Sequence, residues 1–297
     1  MRILVIGSDS TIGAKLTAVL LARGHTVIGT TRNSKNIKKP NVIFFDLASD
    51  DQPAFPETEV AVVCAAMARF EECHKQPNLA YRVNVEAPFA IAKQLVPRGT
   101  HVLLLSTSAV FDCYEPLRKA DSIPAPRSVY GRLKWEAESR LLEKGQGTAI
   151  LRLTKVLSPE VGILTKWIDD LSIGKEIRAF DDHRFCPLPL CAAVDAISAI
   201  IRSGEIGLFQ LSGANDISYA EAGLHLASRL GRSSDKIIAV SAAANGFLIN
   251  EITPYTSLDT SRLSRMTGFV PPCAFDVIDN VYGPALARAT MVTLTQS

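Results

Sequence analysis

Tyr130 and Lys134 stand four residues apart in the run Ser128-Val129-Tyr130-Gly131-Arg132-Leu133-Lys134, inside a segment whose pattern predicts a helix ending near Gly145. On a helix, positions i and i+4 share a face one turn apart, so a phenol and an ammonium meet there. Such a pair can move a proton. The cation stabilises the phenolate and is expected to bring the tyrosine pKa down from its usual value of about 10. On a solvated helix the same spacing is only a surface pair, so the chemistry depends on what the chain places around it. Upstream, the apolar run from His101 to Leu105 leads into Ser106-Thr107-Ser108-Ala109-Val110-Phe111. Hydroxyls at the C-terminal end of a central strand sit at the ligand edge of an open parallel sheet, and Thr107 and Ser108 are candidates to touch a reacting group there. A hydroxyl-rich turn is the alternative.

The elements that would position these residues follow from the alternation of apolar runs and helical periodicity. Arg2 to Ile6 is apolar and β-branched, stops at Gly7, and fits a central parallel strand. Gly7-Ser8-Asp9-Ser10-Thr11-Ile12-Gly13 follows, then a helix with Ile12, Leu16, Val19 and Leu20 on one face, closed by Gly24. A glycine-bounded turn between strand and helix is a docking point for a dinucleotide pyrophosphate, because the helix N-terminus offers free N–H groups and glycine lets backbone come close. Gly7, Ser10, Thr11, Ile12 and Gly13 are therefore candidate cofactor contacts. Thr26 to Gly29 forms a second strand whose end reads Thr30-Thr31-Arg32-Asn33, followed by Lys35, Lys38 and Lys39. No acidic residue stands there to hold a ribose 2′-hydroxyl, and Arg32 is placed to pair with a 2′-phosphate, which favours NADP with NAD possible.

Further strands run from Val42 to Phe45, ending at Asp46-Leu47, and from Glu59 to Cys64, ending at Ala65-Ala66. Asp46 could accept a hydrogen bond from an adenine amino group or serve as a plain turn residue. The small pair Ala65 and Ala66 leaves room for a cofactor backbone. A helix from about Asn78 to Leu95 contains Asn84, which could bridge to the active site through water, although most such asparagines are surface positions, and Thr148 to Leu153 is a sixth strand. The alternation predicts an α/β fold built on a Rossmann-like, doubly wound parallel sheet over residues 1–153. Beyond it the segments shorten and prolines accumulate. Residues 154–297 read as a smaller lobe, partly interleaved with the first unit, in which Ser218 starts a helix through Leu230 with Tyr219, Leu224, Leu226 and Leu230 as its apolar positions.

Bulk properties narrow the function classes. Of 297 residues, 47% are hydrophobic and 21% charged, as in a soluble globular protein with a large core. A net charge of +2 gives no reason to expect a nucleic-acid partner, and no apolar run is long enough to span a membrane. The six cysteines form no Cys-x-x-Cys pair and the start has no signal-peptide character, so reduced thiols in a cytoplasmic protein are expected. Cys73-His74 and the group His183, Cys186 and Cys191 match no zinc spacing, and no metal is expected.

Taken together, these residues resemble the extended short-chain dehydrogenase/reductase superfamily of NAD-dependent epimerase/dehydratase type, over nearly the whole chain. The resemblance rests on Gly7…Gly13, on Ser106-Thr107 before Val110-Phe111, and on Tyr130 to Lys134. The Ser-Thr-x-x-Val-Phe-Asp form at Ser106 to Asp112 is most similar to the dTDP-4-dehydrorhamnose reductase branch, as are Leu211-Ser212-Gly213 and Leu258-Asp259 with Ser261-Arg262. The resemblance implies Tyr130 as catalytic acid/base and Lys134 on the nicotinamide ribose hydroxyls. It also implies Thr107 on the reacting oxygen, Gly7, Ser10, Ile12 and Gly13 along the pyrophosphate, and Arg32 near the adenosine ribose. It further implies a nucleotide-sugar substrate, with Arg184 as a candidate for its phosphate, and a possible homodimer. Arg184 could instead make a surface salt bridge with Asp181 or Asp182. Two departures are plain: the usual middle glycine of the turn is Ser10, and Ser108-Ala109 replaces the Asp-Tyr often found after the threonine. Two alternatives remain open, a nucleotide-sugar epimerase or dehydratase with tightly held NAD, and a non-catalytic dinucleotide-binding regulatory protein.

Overall fold

A computed structural model describes residues 1–38, 40–49, 53–143, 145 and 147–294, with the backbone alone for 291–294. Lys39 lies outside the described residues. The chain opens with β1 (Arg2–Ile6), α1 (Thr11–Ala22), β2 (Thr26–Thr31), β3 (Val42–Phe44) and β4 (Val60–Val63). Next come α2 (Phe70–Lys75), α3 (Pro77–Tyr81), α4 (Ala87–Leu95), β5 (His101–Thr107), α5 (Val129–Leu142) and β6 (Thr148–Leu153). Residues Arg82–Glu86 form a π-helical stretch between α3 and α4, so the single helix expected over 78–95 is three segments. Asn84 sits in that stretch and is buried rather than on the surface. Its side chain accepts from Met67 N and donates to Met67 O, which ties down the segment after β4.

The second half contributes β7 (Lys155–Leu157), α6 (Ile163–Ser172), β8 (Ile177–Phe180), β9 (Arg184–Phe185), β10 (Pro187–Pro189), α7 (Leu190–Ser203) and β11 (Gly207–Leu211). After these come β12 (Ile217–Ser218), α8 (Tyr219–Arg229), β13 (Ile237–Val240), α9 (Ser261–Thr267) and α10 (Ala274–Leu294).

One seven-stranded sheet runs in the order β11-β6-β5-β4-β1-β2-β3, and every pairing in it is parallel. The central strands are apolar on both faces because both faces are covered. Leu16 and Leu20 of α1, several residues of α7 and Leu263 of α9 pack on one face with Ile3, Val5, Val62 and Leu103. Ala87, Ile91 and Leu95 of α4 and Ala137 and Leu141 of α5 pack on the other with Leu4, Ile6, Val63 and Leu104. The sheet does not end at residue 153. β11 pairs with β6 from Gly207↔Ala149 to Leu211↔Leu153, so the second half supplies a sheet strand and α7.

The rest of the second half forms three two-stranded pairings, β10 with β7, β12 with β9 and β13 with β8, around a separate core from α6, α8 and α10. Helix α8 begins as expected, with a capping box between Ser218 and Glu221. Of its expected apolar positions, Leu226 and Leu230 are buried, whereas Leu224 is 43% exposed.

Connectivity from β1 goes to β2 on one side and through β4 on the other, so the sheet reverses direction at β1/β4. Open parallel sheets bind ligands in the crevice at such a switch point. Gly7, at the end of β1, meets Ala65, after β4, at that crevice: a Cβ on Gly7 would lie 2.6 Å from Ala65 Cβ.

Candidate functional site

The glycine turn is built from its own backbone and fastened to β2. Gly7 adopts φ +81°, a left-handed conformation that glycine accepts without strain. Gly7 N donates to Thr30 Oγ1 at 2.9 Å, and both Ser8 N and Ser8 Oγ donate to Thr30 O at 3.0 Å. Gly13 packs against the same turn, where an added Cβ would lie 2.1 Å from Gly7 O. Ser10, in place of the usual glycine, is the N-cap of α1: its Oγ accepts from Gly13 N at 3.1 Å and donates to Gly7 O at 2.8 Å. The substitution therefore closes the turn internally and still leaves the N–H groups of Thr11 and Ile12 at the helix start without a protein acceptor.

The remaining residues expected around a dinucleotide have distinct settings. Arg32 is exposed at the end of β2 and has no ion-pair or hydrogen-bond partner among the described residues. Asp46 is half-buried and makes a local turn, its Oδ1 accepting from Ala48 N at 3.0 Å. Leu47 is buried beside the core, Ala65 is half-buried and Ala66 is exposed. The cradle suits a dinucleotide: two glycines that a Cβ would block, free N–H groups at a helix N-terminus with its positive dipole end, and an unpaired guanidinium.

Beside this turn the sheet edge carries the candidate reacting groups. Thr107 ends β5 and caps the short 3₁₀ turn Ser108–Val110, its Oγ1 accepting from Ala109 N at 3.2 Å. Ser108 is buried, and its carbonyl accepts from Phe111 N. Helix α5 starts at an N-cap in which Ser128 Oγ accepts from Gly131 N at 3.0 Å. Gly131 lets the helix reach the turn after β5, since a Cβ there would lie 2.1 Å from Ala109 O. Tyr130, one residue earlier, is brought to the same strand end. Its ring lies 5.8 Å from that of Phe70 of α2, and it packs against a cluster that includes Cys73 and Leu133.

Neither Tyr130 nor Lys134 makes a side-chain hydrogen bond to a described residue. Lys134 is only 2% exposed. Burial pushes its amine down to about 8, against a smaller opposite pull from Glu138 one turn on. The sequence-based expectation that the tyrosine pKa falls is not met. Burial, with a lesser contribution from the Cys73 thiol, raises the Tyr130 phenol well above its ordinary value. The desolvation of the phenolate outweighs any help from the cation, and the side chain is held neutral with its proton available to give.

Beneath these groups lies a buried network that the sequence reading missed. Glu138 of α5 accepts from Ser106 Oγ of β5 and forms a salt bridge with Arg152 of β6, at 2.7 Å from Nη2 and 3.1 Å from Nε. Both side chains are at most 2% exposed. Arg152 also donates to Ala120 O and to Gln210 of β11, and its guanidinium lies 4.9 Å from the Phe111 ring centroid. The signal for it was a lone arginine in the otherwise apolar run Thr148–Leu153, together with an acid four residues after Lys134.

Arg184 is in neither expected pairing. It donates to Asp216 O at 2.9 Å and pairs with Glu221 at 3.1 Å, whereas Asp182 is engaged by Ser241 and Ala242. His183 stacks on Tyr219 at 5.5 Å and accepts from Thr253 N. Among the described residues no cluster of three or more His, Cys, Asp or Glu could hold a metal ion, and no helix is long and apolar enough to cross a membrane.

The chain is similar to several known proteins. The chain is 29% identical over 158 residues to methionine adenosyltransferase 2 subunit beta of Pongo abelii, covering 51% of this chain and 46% of that protein. It thus spans about half the length of those curated relatives. It is also 29% identical over 235 residues to dTDP-4-dehydrorhamnose reductase of Sinorhizobium fredii, covering 74% of this chain and 75% of the relative. The crystal structure of dTDP-4-dehydrorhamnose reductase from Bacillus anthracis in complex with NADP superposes with a TM-score of 0.79 at 18% identity, over 95% of this chain and 99% of the other, which shows the fold. The family described as RmlD substrate binding domain matches residues 1–277, and the chain belongs to that family.

Proposed function

We propose that this protein is an oxidoreductase of the extended short-chain dehydrogenase/reductase type that interconverts a carbonyl and an alcohol on a nucleotide-linked sugar, with NADP favoured and NAD possible. The observation that carries the reading is Thr107 at the end of β5 with Tyr130 and a buried, unpartnered Lys134 amine on α5, the helix whose Gly131 packs against the turn after β5. Gly7, Ser10, Thr11, Ile12 and Gly13 would hold the cofactor pyrophosphate, Arg32 the adenosine ribose end, and Lys134 the nicotinamide ribose hydroxyls. A bound reduced nicotinamide supplies the hydride. Tyr130 donates its proton to the oxygen that becomes the hydroxyl, and Thr107 Oγ1 donates a hydrogen bond to the same oxygen. The Lys134 charge lowers the cost of the phenolate left behind. The lobe around α6, α8 and α10 would supply the sugar-nucleotide contacts, with Ser108 and Arg184 as candidates. Arg184 can serve only by exchanging Glu221 for a substrate phosphate. A cytoplasmic setting and a homodimeric form belong to the same reading.

The test is turnover of NADPH in a screen of nucleotide-linked keto-sugars with the intact protein and with Tyr130→Phe. The variant is expected to lose turnover by at least about 10²-fold while binding NADPH nearly as before. Full activity in the variant would remove Tyr130 from the chemistry. A second reading, a non-catalytic dinucleotide-binding subunit, is supported by the likeness to a protein named as a subunit. It requires tight cofactor binding and no turnover with any sugar in the screen. An epimerase or dehydratase would instead purify with NAD in place, visible in an absorbance scan.

A further inference from the structure

The end of β2 carries no acid in sequence, but the fold brings one there from the glycine turn. Asp9 Oδ2 accepts the hydroxyl proton of Thr31 at 2.5 Å. Thr31 is 1% exposed, and its Oγ1 also accepts from Asn33 N at 3.0 Å. With its acceptor side committed to the backbone, the threonine has one proton to give and gives it to Asp9, which fixes the direction of the carboxylate. The turn that carries Asp9 is itself held by the three hydrogen bonds to Thr30. Asp9 is exposed, and its Oδ1 has no hydrogen-bond partner among the described residues.

The next residue after Thr31 is Arg32. It would neutralise Asp9 in a direct ion pair, yet the two are not paired, and Arg32 is free. The edge where an adenosine ribose would lie therefore presents two opposite charges, one rigidly held and one on a flexible stem. The first suits a hydroxyl donor and the second suits a phosphate.

We propose that Asp9 is a specificity-determining residue. Its carboxylate accepts a hydrogen bond from the 2′-hydroxyl of an NAD-type adenosine and repels the 2′-phosphate of NADP, which Arg32 attracts. The inference rests on the dinucleotide reading of the turn and adds to it a restraint on the NADP preference that Arg32 alone would confer. Both cofactors bind, and the discrimination between them is the balance of these two residues.

The experiment is titration of the full-length protein with NADPH and with NADH, each measured as a Kd, for the wild type, Asp9→Asn and Arg32→Ala. Both side chains are exposed, and a thermal melt checks that each variant is folded. Asp9→Asn is expected to shift the NADPH-to-NADH affinity ratio towards NADPH by about tenfold, since it removes a like charge near the phosphate and keeps the shape. Arg32→Ala is expected to shift the ratio the other way. A third variant, Thr31→Val, releases the carboxylate and is expected to weaken NADH binding while leaving the charge in place. An Asp9→Asn protein with an unchanged ratio overturns the proposal and leaves the dinucleotide reading intact. Failure of wild type and variants to bind either cofactor overturns both.

Discussion

At the scale of single residues, the site depends on Lys134 keeping a charge in a place that disfavours it. Its amine titrates at about 8 instead of 10.5 because it is buried. Two opposite pH trends follow. The pH dependence of kcat/KM reports the free enzyme, so kcat/KM should fall as pH rises through about 8 and the ammonium that supports Tyr130 is lost. Between about 8 and 10.5 the unfolded chain binds a proton at this lysine that the folded chain has released. Stability therefore contains a contribution that rises with pH over that window. Lys134→Met should remove both effects: a residual activity lower by about 10²-fold without the alkaline limb near pH 8, and a flatter dependence of unfolding free energy on pH. An alkaline limb unchanged in the methionine variant would assign the titration to another group. Tyr130 has the opposite displacement, with burial pushing it up, so the bare site presents a proton donor. A sequence cannot show this. The spacing of Tyr130 and Lys134 says that the two can meet, whereas the balance between Coulomb support and desolvation depends on Phe70, Cys73 and the packing that buries Lys134 and half-buries Tyr130.

At the scale of elements, the strand and the helix that carry Thr107, Tyr130 and Lys134 are locked together by one buried acid. Glu138 joins α5 to β5 through Ser106 and to β6 through Arg152, and Arg152 reaches on to β11 through Gln210. Glu138→Gln leaves the Arg152 guanidinium buried without its counter-ion, and the expected cost is about 3–5 kcal/mol of unfolding free energy by urea denaturation. The double variant Glu138→Leu with Arg152→Met removes both charges and should recover most of that loss, yet it should remain impaired in turnover because the apolar pair no longer fixes the end of β5. A single variant as stable as the double one would mean that the pair is solvated enough to do without each other. Most strands and helices of residues 1–153 were legible in the sequence. Doubly covered parallel strands read as continuous apolar runs, and Ser218 marks a helix start through its capping side chain, whereas the caps at Ser10 and Ser128 emerge only in the structure. What was not legible crosses between elements. Asp9 meets Thr31 and Glu138 meets Arg152 only once the sheet is assembled, and Asn84 reads as a surface residue until the π-helical stretch turns it inward onto Met67.

At the scale of the whole molecule, the change in pattern after Leu153 does not mark the end of the sheet, because β11 pairs with β6. Gly207 to Leu211 is short and lies among mixed segments, and nothing local distinguishes it from the two-stranded pairings of the lobe. Its place beside β6 is set by α7, whose Ala193, Val194, Ile197, Ile200 and Ile201 pack into the core with Ile3, Val5 and Leu16. Residues 1–153 alone would therefore expose one edge of β6, a strand whose six residues are all buried, and the sheet face that α7 covers. An unpaired apolar edge and an uncovered apolar face favour association over folding. Fragment 1–153 is expected to give no cooperative thermal transition and no near-ultraviolet circular dichroism signal by itself. Addition of fragment 154–297 should restore both, because it returns β11 and α7 together with the lobe. The glycine turn, Asp9 and Arg32 all lie in the first fragment, so NADPH binding offers an independent readout of when the sheet has formed. A fragment 1–153 that melts cooperatively and binds NADPH alone would show that the second half only covers the sheet, and that β11 is dispensable to the switch-point crevice at Gly7 and Ala65.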